Sequence, residues 1–280
     1  MQGRQGKERI MTASQQNIAK QQLQTSSRIG WAQVSPLGLG TVKFGRNTGV
    51  KYPGGDGFAL PTDAQIEELL DTALGCGINL LDTAPAYGAS EERLGKLLGA
   101  RREKFFLVTK TGEEFDGEKS EYVFTAAHTR MSVERSLSRL KTDYLDCVLV
   151  HSNRDDVSVI TQTPVLETLS LLKDEGKIGS FGVSTYTIEG GKKAVELCDC
   201  VMVAYNKSYL DELPVIACAR EKGKAVLVKK GLASGHTGRL GDIGENIRFV
   251  AGTAGVTSLV FGSLTPGNIV GNARAFSHKK

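Results

Sequence analysis

Short apolar runs recur along the chain, separated by stretches with a helical period. From Pro36 onward the runs are LGLGTV (37–42), INLLD (78–82), FFLVTK (105–110), LDCVLVH (145–151), IGSFGVS (178–184), CVMVAYN (200–206), KAVLVKK (224–230) and TSLVFG (257–262). They are β-branched and near-continuous, as strands buried on both faces should be. Between the first two, Ile66, Leu69, Leu70, Ala73 and Leu74 share one helical face. Thr62, with Gln65 three residues on, supplies a capping-box start. Val133, Leu137 and Leu140 repeat the spacing. Thr163 and Pro164 open a further helix as cap and first position, and Gly176 ends it. Stretches 213–223 and 266–276 complete the set, with a weaker, glycine-interrupted helix over 242–252.

Eight strands alternating with eight helices predict an α/β fold, the (β/α)8 TIM barrel. An open doubly wound sheet shares the alternation with fewer strands. No Gly-x-Gly-x-x-Gly turn follows a strand and opens a helix, however, and Gly38-Leu39-Gly40 lies inside a strand. Residues 27–35 are expected to form a hairpin, and 27–280 a single barrel domain. Residues 1–26, rich in Gln, Ser and Lys, read as a mobile leader within which Met11 is a second candidate start.

Composition excludes several classes of function. A formal charge of +4 is too mild to imply nucleic acid, and no basic stretch is long or interleaved with aromatics. No apolar run approaches the ~18 residues needed to cross a bilayer, and the opening residues lack the apolar centre of a secretory signal. A cytoplasmic location is expected, with no membrane partner. The cysteines, Cys76, Cys147, Cys198, Cys200 and Cys218, form no CxxC pair. Buried free thiols are expected, and no metal site.

Barrel chemistry sits at the carboxyl ends of strands. Those ends carry Asp82, Lys110, His151, Ser184, Asn206, Lys229, Lys230 and Gly262-Ser263, and Tyr87 follows Asp82 in the loop APAYGASE. A barrel-end Asp–Lys pair is often purely structural and a loop tyrosine often mere packing, but together the set has a chemical logic. A phenol titrates near ~10, and a nearby ammonium lowers that value. A carboxylate holds the ammonium, and a histidine donates a hydrogen bond to the substrate oxygen or passes protons on. Such a set can protonate a carbonyl oxygen while hydride from a cofactor reaches carbon.

LLDTAPAYGASEERLG, followed by LVTK and LVHS, resembles the aldo-keto reductase family, and the resemblance runs from about Arg28 to Ala275. It implies the barrel, a carbonyl or alcohol substrate, and NADPH bound without a dinucleotide-binding fold, with NADH the alternative. It further implies Tyr87 as general acid, Lys110 as its pKa partner, Asp82 as the partner of Lys110, and His151 as the carbonyl-orienting group. Gly40, Thr41 and Lys43 match the family's first-strand cofactor segment, and Ser184 its carboxamide-binding serine. Thr185 stands where an Asn is usual, Met202 where a Gln is frequent, and Lys229 where a Tyr often stacks on nicotinamide. Gly231, Leu232 and Ser234 match the loop near the pyrophosphate. Ser263, Leu264 and Asn272 fit the adenosine pattern, while Gly262 and Asn268 replace cations common there. The lead into a helix N-terminus still favours a phosphate.

Several motifs read as chemically silent. Glu113, Glu114, Asp116 and Glu118 form an acidic loop that is simply solvated or, overhanging the cup, touches substrate. His128 and His236 are expected at the surface, and Cys198-Asp199-Cys200 at a helix-to-strand corner. Two rival functions remain: a Schiff-base lyase using Lys110, Lys229 or Lys230, and a cofactor-sensing regulatory subunit with little turnover.

Overall fold

The fold was read from a computed structural model, which describes residues 27–50, 55, 57–236, 238 and 241–277; the expected leader, 1–26, lies outside the described residues. The predicted hairpin comes first, β1 (Ser27–Ile29) against β2 (Ala32–Val34), antiparallel. The apolar runs then form β3 (Leu37–Gly40), β4 (Leu80–Asp82), β5 (Phe106–Thr111), β8 (Cys147–His151), β9 (Phe181–Ser184), β10 (Cys200–Ala204), β11 (Ala225–Lys229) and β12 (Ser258–Gly262). A second hairpin, β6 (Glu113–Phe115) and β7 (Ser120–Tyr122), folds out of the acidic segment after β5.

The ring closes in the order β3-β4-β5-β8-β9-β10-β11-β12, with β12 back on β3. Neighbours are parallel, and the register brings the polar strand ends to nearby levels: Gly40 pairs with Asp82, His151 with Ser184, Ala204 with Lys229, and Gly262 with Gly40. One rim therefore collects the carboxyl ends of all eight strands.

Two apolar layers hold this ring. Inside it, Leu80, Phe106, Val108, Leu149, Leu227 and their neighbours meet Ile29 and Val34 of the hairpin, which closes the amino-terminal end of the barrel. Outside it, alternate strand residues such as Leu81, Leu107, Val148 and Val203 pack on the helices. Helix Asp63–Gly75 carries the expected capping box: Thr62 Oγ1 accepts the Gln65 amide, and the Gln65 side chain accepts the Thr62 amide.

The helix boundary at Thr163 departs from expectation. Thr163 ends a short helix, Asp156–Gln162, and its hydroxyl donates back to the Val159 carbonyl at 2.7 Å, so Pro164 takes the cap position of helix Val165–Asp174. Helices Ser90–Leu97 and Ile188–Leu197 complete the set. Gly190 interrupts the apolar pattern of the latter for a steric reason, since a Cβ there would collide with the Asp156 side chain. Cys198 caps this helix and Cys200 starts β10, which makes the expected corner.

Candidate active site

Lys110 points from β5 into the cup and is almost wholly buried. Its ammonium donates to Asp82 Oδ1 at 2.5 Å and to the Thr83 carbonyl at 2.9 Å. A buried ammonium is tolerable only with such partners. The same Nζ lies 4.7 Å from the centroid of the Tyr87 ring. Tyr87 is placed by a tight crossing. Its neighbour Gly88 has a left-handed φ of 58° and meets Gly45, at the end of the short helix Val42–Gly45, so closely that a Cβ at either glycine would strike the other segment's backbone. Thr83 and Ser90 join hydroxyls at 3.1 Å, and Thr41 donates to the Asp82 carbonyl at 3.0 Å, which ties the loop to the ends of β3 and β4.

His151 meets the Tyr87 ring edge-on, with centroids 6.3 Å apart and planes at 84°. Its Nδ1 lies 2.6 Å from Glu113 Oε2, close enough for an ion pair but out of line for a well-directed hydrogen bond. Burial pulls the imidazole pKa down, Glu113 pulls it up, and burial prevails. Burial likewise raises Glu113, but His151, Ser120 and Arg46 together outweigh it and leave the carboxyl at about 2. We assign the proton of the neutral ring to Nδ1, because a carboxylate facing that atom cannot donate. Nε2 is then an acceptor, which suits passing a proton rather than donating to a carbonyl oxygen.

Glu113 thus corrects the reading of a solvated acidic loop. It is buried on the β6–β7 hairpin because that hairpin folds back over the cup. Glu114 is also engaged, with Arg135 at 2.5 Å and His128 at 2.9 Å. His128 is correspondingly largely covered rather than at the surface, whereas His236 is exposed. Only Asp116 and Glu118 fit the original expectation: Asp116 accepts the Glu118 and Lys119 amides in an exposed turn.

The cup opens into a cavity of about 630 Å³, within the usual range for small-molecule sites. Asp82, Tyr87, Lys110 and His151 line it, as do residues at the ends of β9, β11 and β12. Across from the Lys110–Asp82 pair, Lys229 donates to Ser184 Oγ at 2.9 Å and to the Thr185 carbonyl at 2.8 Å. Burial drives its pKa down to about 7, with the buried Glu212 opposing and Lys230 assisting.

The description of the aldo/keto reductase family matches residues 36–252. A crystal structure of an aldo-keto reductase from Pseudomonas aeruginosa is 45% identical, covers 91% of this chain and 95% of its own, and superposes with a TM-score of 0.82.

The chain belongs to the aldo/keto reductase family.

Among curated relatives, D-arabinose 1-dehydrogenase of Saccharomyces cerevisiae is 35% identical over 49% of this chain and 42% of its own. An aldo-keto reductase of Bacillus subtilis is 37% identical over 56% and 45%. The chain therefore spans less than half the length of these two relatives. A glycerol dehydrogenase from Gluconobacter oxydans, 23% identical with 90% and 89% coverage and a TM-score of 0.71, shares the fold.

Members of this family use a nicotinamide cofactor, and the cavity fits one. The ends of β3 and β12 are Gly40 and Gly262, and a Cβ on Gly262 would meet only the Gly40 carbonyl at 3.7 Å, so the space there is open. Helix Pro266–Ser277 starts beside it, with Asn268 and Asn272 on the wall. Gly40, Lys43, Ser184, Met202, Lys229, Gly231, Leu232, Ser234, Ser263 and Leu264 line the same cavity. Thr41 and Thr185 are fully buried behind it. Asn206, expected at a strand end, turns its amide to the Lys230 carbonyl at 3.0 Å. The sequence pattern offered Glu113 only as part of an acidic loop, and did not single out Tyr186. The signal for Tyr186 was its place two residues beyond Ser184, at the end of a barrel strand.

Among the described residues, no group of three or more His, Cys, Asp or Glu side chains could hold a metal, and no helix is long and apolar enough to cross a membrane. The cysteines are free, and all but the half-buried Cys218 are buried.

Proposed function

We propose that this chain reduces an aldehyde or ketone with a nicotinamide cofactor, or oxidises the corresponding alcohol or sugar in reverse. One observation carries the reading: Lys110 is locked to Asp82 while its ammonium lies 4.7 Å from the Tyr87 ring. A fixed positive charge there stabilises developing phenolate, so Tyr87 can give its proton to a carbonyl oxygen near neutral pH. The bound cofactor supplies the hydride. His151, whose Nε2 is an acceptor, takes up a proton from solvent there and passes it to the Tyr87 phenolate, returning to the neutral tautomer that Glu113 favours. Ser184, beside Lys229, is placed to orient the carboxamide. NADPH is our choice, at a site built from Ser263, Leu264 and the N-terminus of helix Pro266–Ser277. NADH is the alternative, and one Escherichia coli relative, 30% identical over 72% of this chain, is named an NADH-specific methylglyoxal reductase.

A panel of aldehydes and ketones, followed at the nicotinamide absorbance, tests the activity. Tyr87→Phe should then lower kcat by at least ~10²-fold, the range for general acid catalysis, with little change in cofactor Kd. Near-normal turnover in that variant would remove Tyr87 from the mechanism.

A second reading has an observation of its own. Lys229, with its pKa at about 7, has an amine partly neutral at neutral pH, as a Schiff-base nucleophile requires. Lys110, held by Asp82, does not qualify. Borohydride trapping of a carbonyl compound on Lys229, with no nicotinamide oxidation, would favour that reading.

A further inference from the structure

Three cations gather on one ring at the edge of the cup. Lys229 Nζ lies 3.9 Å from the centroid of Tyr186, the Arg154 guanidinium carbon 5.0 Å, and Lys230 Nζ 5.5 Å. Two of these residues hold left-handed backbone, Arg154 with φ 87° and Lys230 with φ 57°. Such conformations are costly for side-chain-bearing residues and persist where surroundings enforce them, characteristically at functional sites. The surroundings here do enforce them. The Lys230 carbonyl accepts from Asn206 Nδ2 at 3.0 Å and from the Ala233 amide at 2.8 Å, and the Arg154 amide donates to Ser152 Oγ at 3.2 Å.

Two carboxylates stand behind these cations. Glu212 and Asp156 are buried there, the former accepting the Ala204 amide and the latter the amides of Tyr186 and Thr187. Neither lines the cavity, and the exposed Arg154 stands at its edge, beside the lining residue Tyr186. Lys229 and Lys230 line the cavity, as does Asp82, which is bound to Lys110. Arg154 itself makes no ion pair among the described residues.

Topology separates much of this cluster from the cleft assigned to the cofactor's phosphates. Arg154 follows β8 and Tyr186 follows β9, whereas Ser263 and helix Pro266–Ser277 follow β12, which stands opposite β8 in the ring. Arg154 and Tyr186 are instead on the side of His151.

We propose that Arg154, Lys229 and Lys230, assembled on Tyr186, form an anion-recognising wall, so that the preferred substrate is a carbonyl compound that also carries a carboxylate or phosphate. This rests on the carbonyl-reduction reading above and names its substrate class. The anionic tail would meet the wall while the carbonyl reaches Tyr87.

The test compares reduction of a short aldehyde ending in carboxylate with its methyl-terminated counterpart. The wild-type kcat/KM ratio should favour the anion by ~10-fold or more, as loss of a charge-assisted contact implies, and should shrink as salt rises. Arg154→Gly should lower kcat/KM for the anionic aldehyde ~10-fold more than for the neutral one. Its Tm should not fall, because glycine accepts the left-handed backbone without strain. Equal or better use of the neutral aldehyde by the wild type, or a ratio unmoved by both Arg154→Gly and Lys230→Gly, would overturn the proposal. A phosphate-terminated aldehyde run alongside shows which anion the wall prefers, and preference for either over the neutral compound supports it. If no carbonyl is reduced although NADPH binds, the reduction reading falls. Calorimetry with succinate then decides the wall separately: binding weakened ~10-fold by Arg154→Gly supports it, and no binding overturns it.

Discussion

On the β4–β5–β8 side of the cup each ionisable group meets its partner at contact distance, the Lys110 ammonium with Asp82 at 2.5 Å and the neutral His151 ring with the Glu113 carboxylate at 2.6 Å. On the β9–β11 side, Lys229 rests on a hydroxyl, a carbonyl oxygen and an aromatic face, and its acidic neighbours lie further back. Two buried glutamates show the consequence. Glu113 sits at about 2, because His151, Ser120 and Arg46 outweigh burial. Glu212 is pushed up to about 7 by burial, against which the Ala204 amide and Lys229 do too little. Similar burial accompanies opposite pKa shifts, and the nearness of partners decides which. The first wall holds Glu113 ionised and His151 neutral at neutral pH. On the second, burial brings Lys229 down to about 7 and Glu212 up to about 7.

The strongest way to break this contrast is to remove one charge from the paired wall. Lys110→Met leaves Asp82 buried without its partner, which should cost roughly 3–5 kcal/mol of stability and abolish measurable turnover. Adding Asp82→Asn should recover part of the stability and none of the activity. Denaturant titrations of the single and double variants give the answer, and strict additivity would mean that the pair contributes nothing as a pair.

That wall was also the legible one. Asp82, Lys110 and His151 end apolar runs, so barrel topology sends them to one rim, and Tyr87, five residues past Asp82, was already a candidate for the same cup; the family resemblance supplied the role of each. The eight strands could be read because burial on both faces leaves a continuous apolar signature. Helix Ser90–Leu97 was harder, since SEERLGKL is half charged and buries Glu91 against Thr109 at 2.7 Å. Glu113 was illegible for a similar reason. It lies in EEFDGEKS, a run whose polarity signals solvent, and only the fold-back of the β6–β7 hairpin buries it. Helix Ile188–Leu197 hid behind Gly190, whose missing side chain is a tertiary requirement. The convergence of Lys229, Lys230 and Arg154 on Tyr186 depends on residues from three separate strand ends, and no local pattern announces it.

The two glutamates give a sharper, smaller test. Glu113, with its folded pKa at about 2 against an ordinary 4.5, contributes stability that is fully present above pH ~4.5 and lost as pH falls towards ~2. Glu113→Gln should therefore destabilise the protein near pH 7 by on the order of 2–3 kcal/mol. It should also remove the group that holds the His151 pKa up, so the acid limb of kcat/KM moves to lower pH. Glu212, raised to about 7, behaves oppositely: its stabilising neutral form is fully present below the unfolded value and is lost as pH rises through ~7. Glu212→Gln keeps an oxygen for the Ala204 amide and should leave stability at pH 8 unchanged or higher by about 1 kcal/mol. Thermal melts across pH check both. The same sign for the two variants at pH 8 would erase the distinction between the walls.

The smallest expected effect tests how far the electropositive side extends towards the cofactor's 2′-phosphate. Gly262 and Asn268 stand where relatives often carry cations, so recognition should rest on Ser263, Leu264, Thr265 and the N-terminus of helix Pro266–Ser277. Ser263 Oγ already accepts the Thr265 amide at 3.1 Å, which shapes this turn but leaves no formal charge in it. Neutral hydrogen bonds are roughly half as strong as charge-assisted ones, so the unmodified chain should prefer NADPH only modestly. Asn268→Arg places a guanidinium on the cavity wall and should move the kcat/KM ratio towards NADPH by ~10-fold, about 1.4 kcal/mol. The shift should decline with salt if the new side chain is exposed. The rival arrangement has Lys229, Lys230 or Arg274 reaching the phosphate. Under it, the unmodified chain would show a strong NADPH preference, lost on replacing one of those cations and indifferent to Ser263→Ala. That outcome would also draw Lys229 or Lys230 away from the substrate wall, because an ammonium engaged by the cofactor phosphate is not available to the substrate's anion.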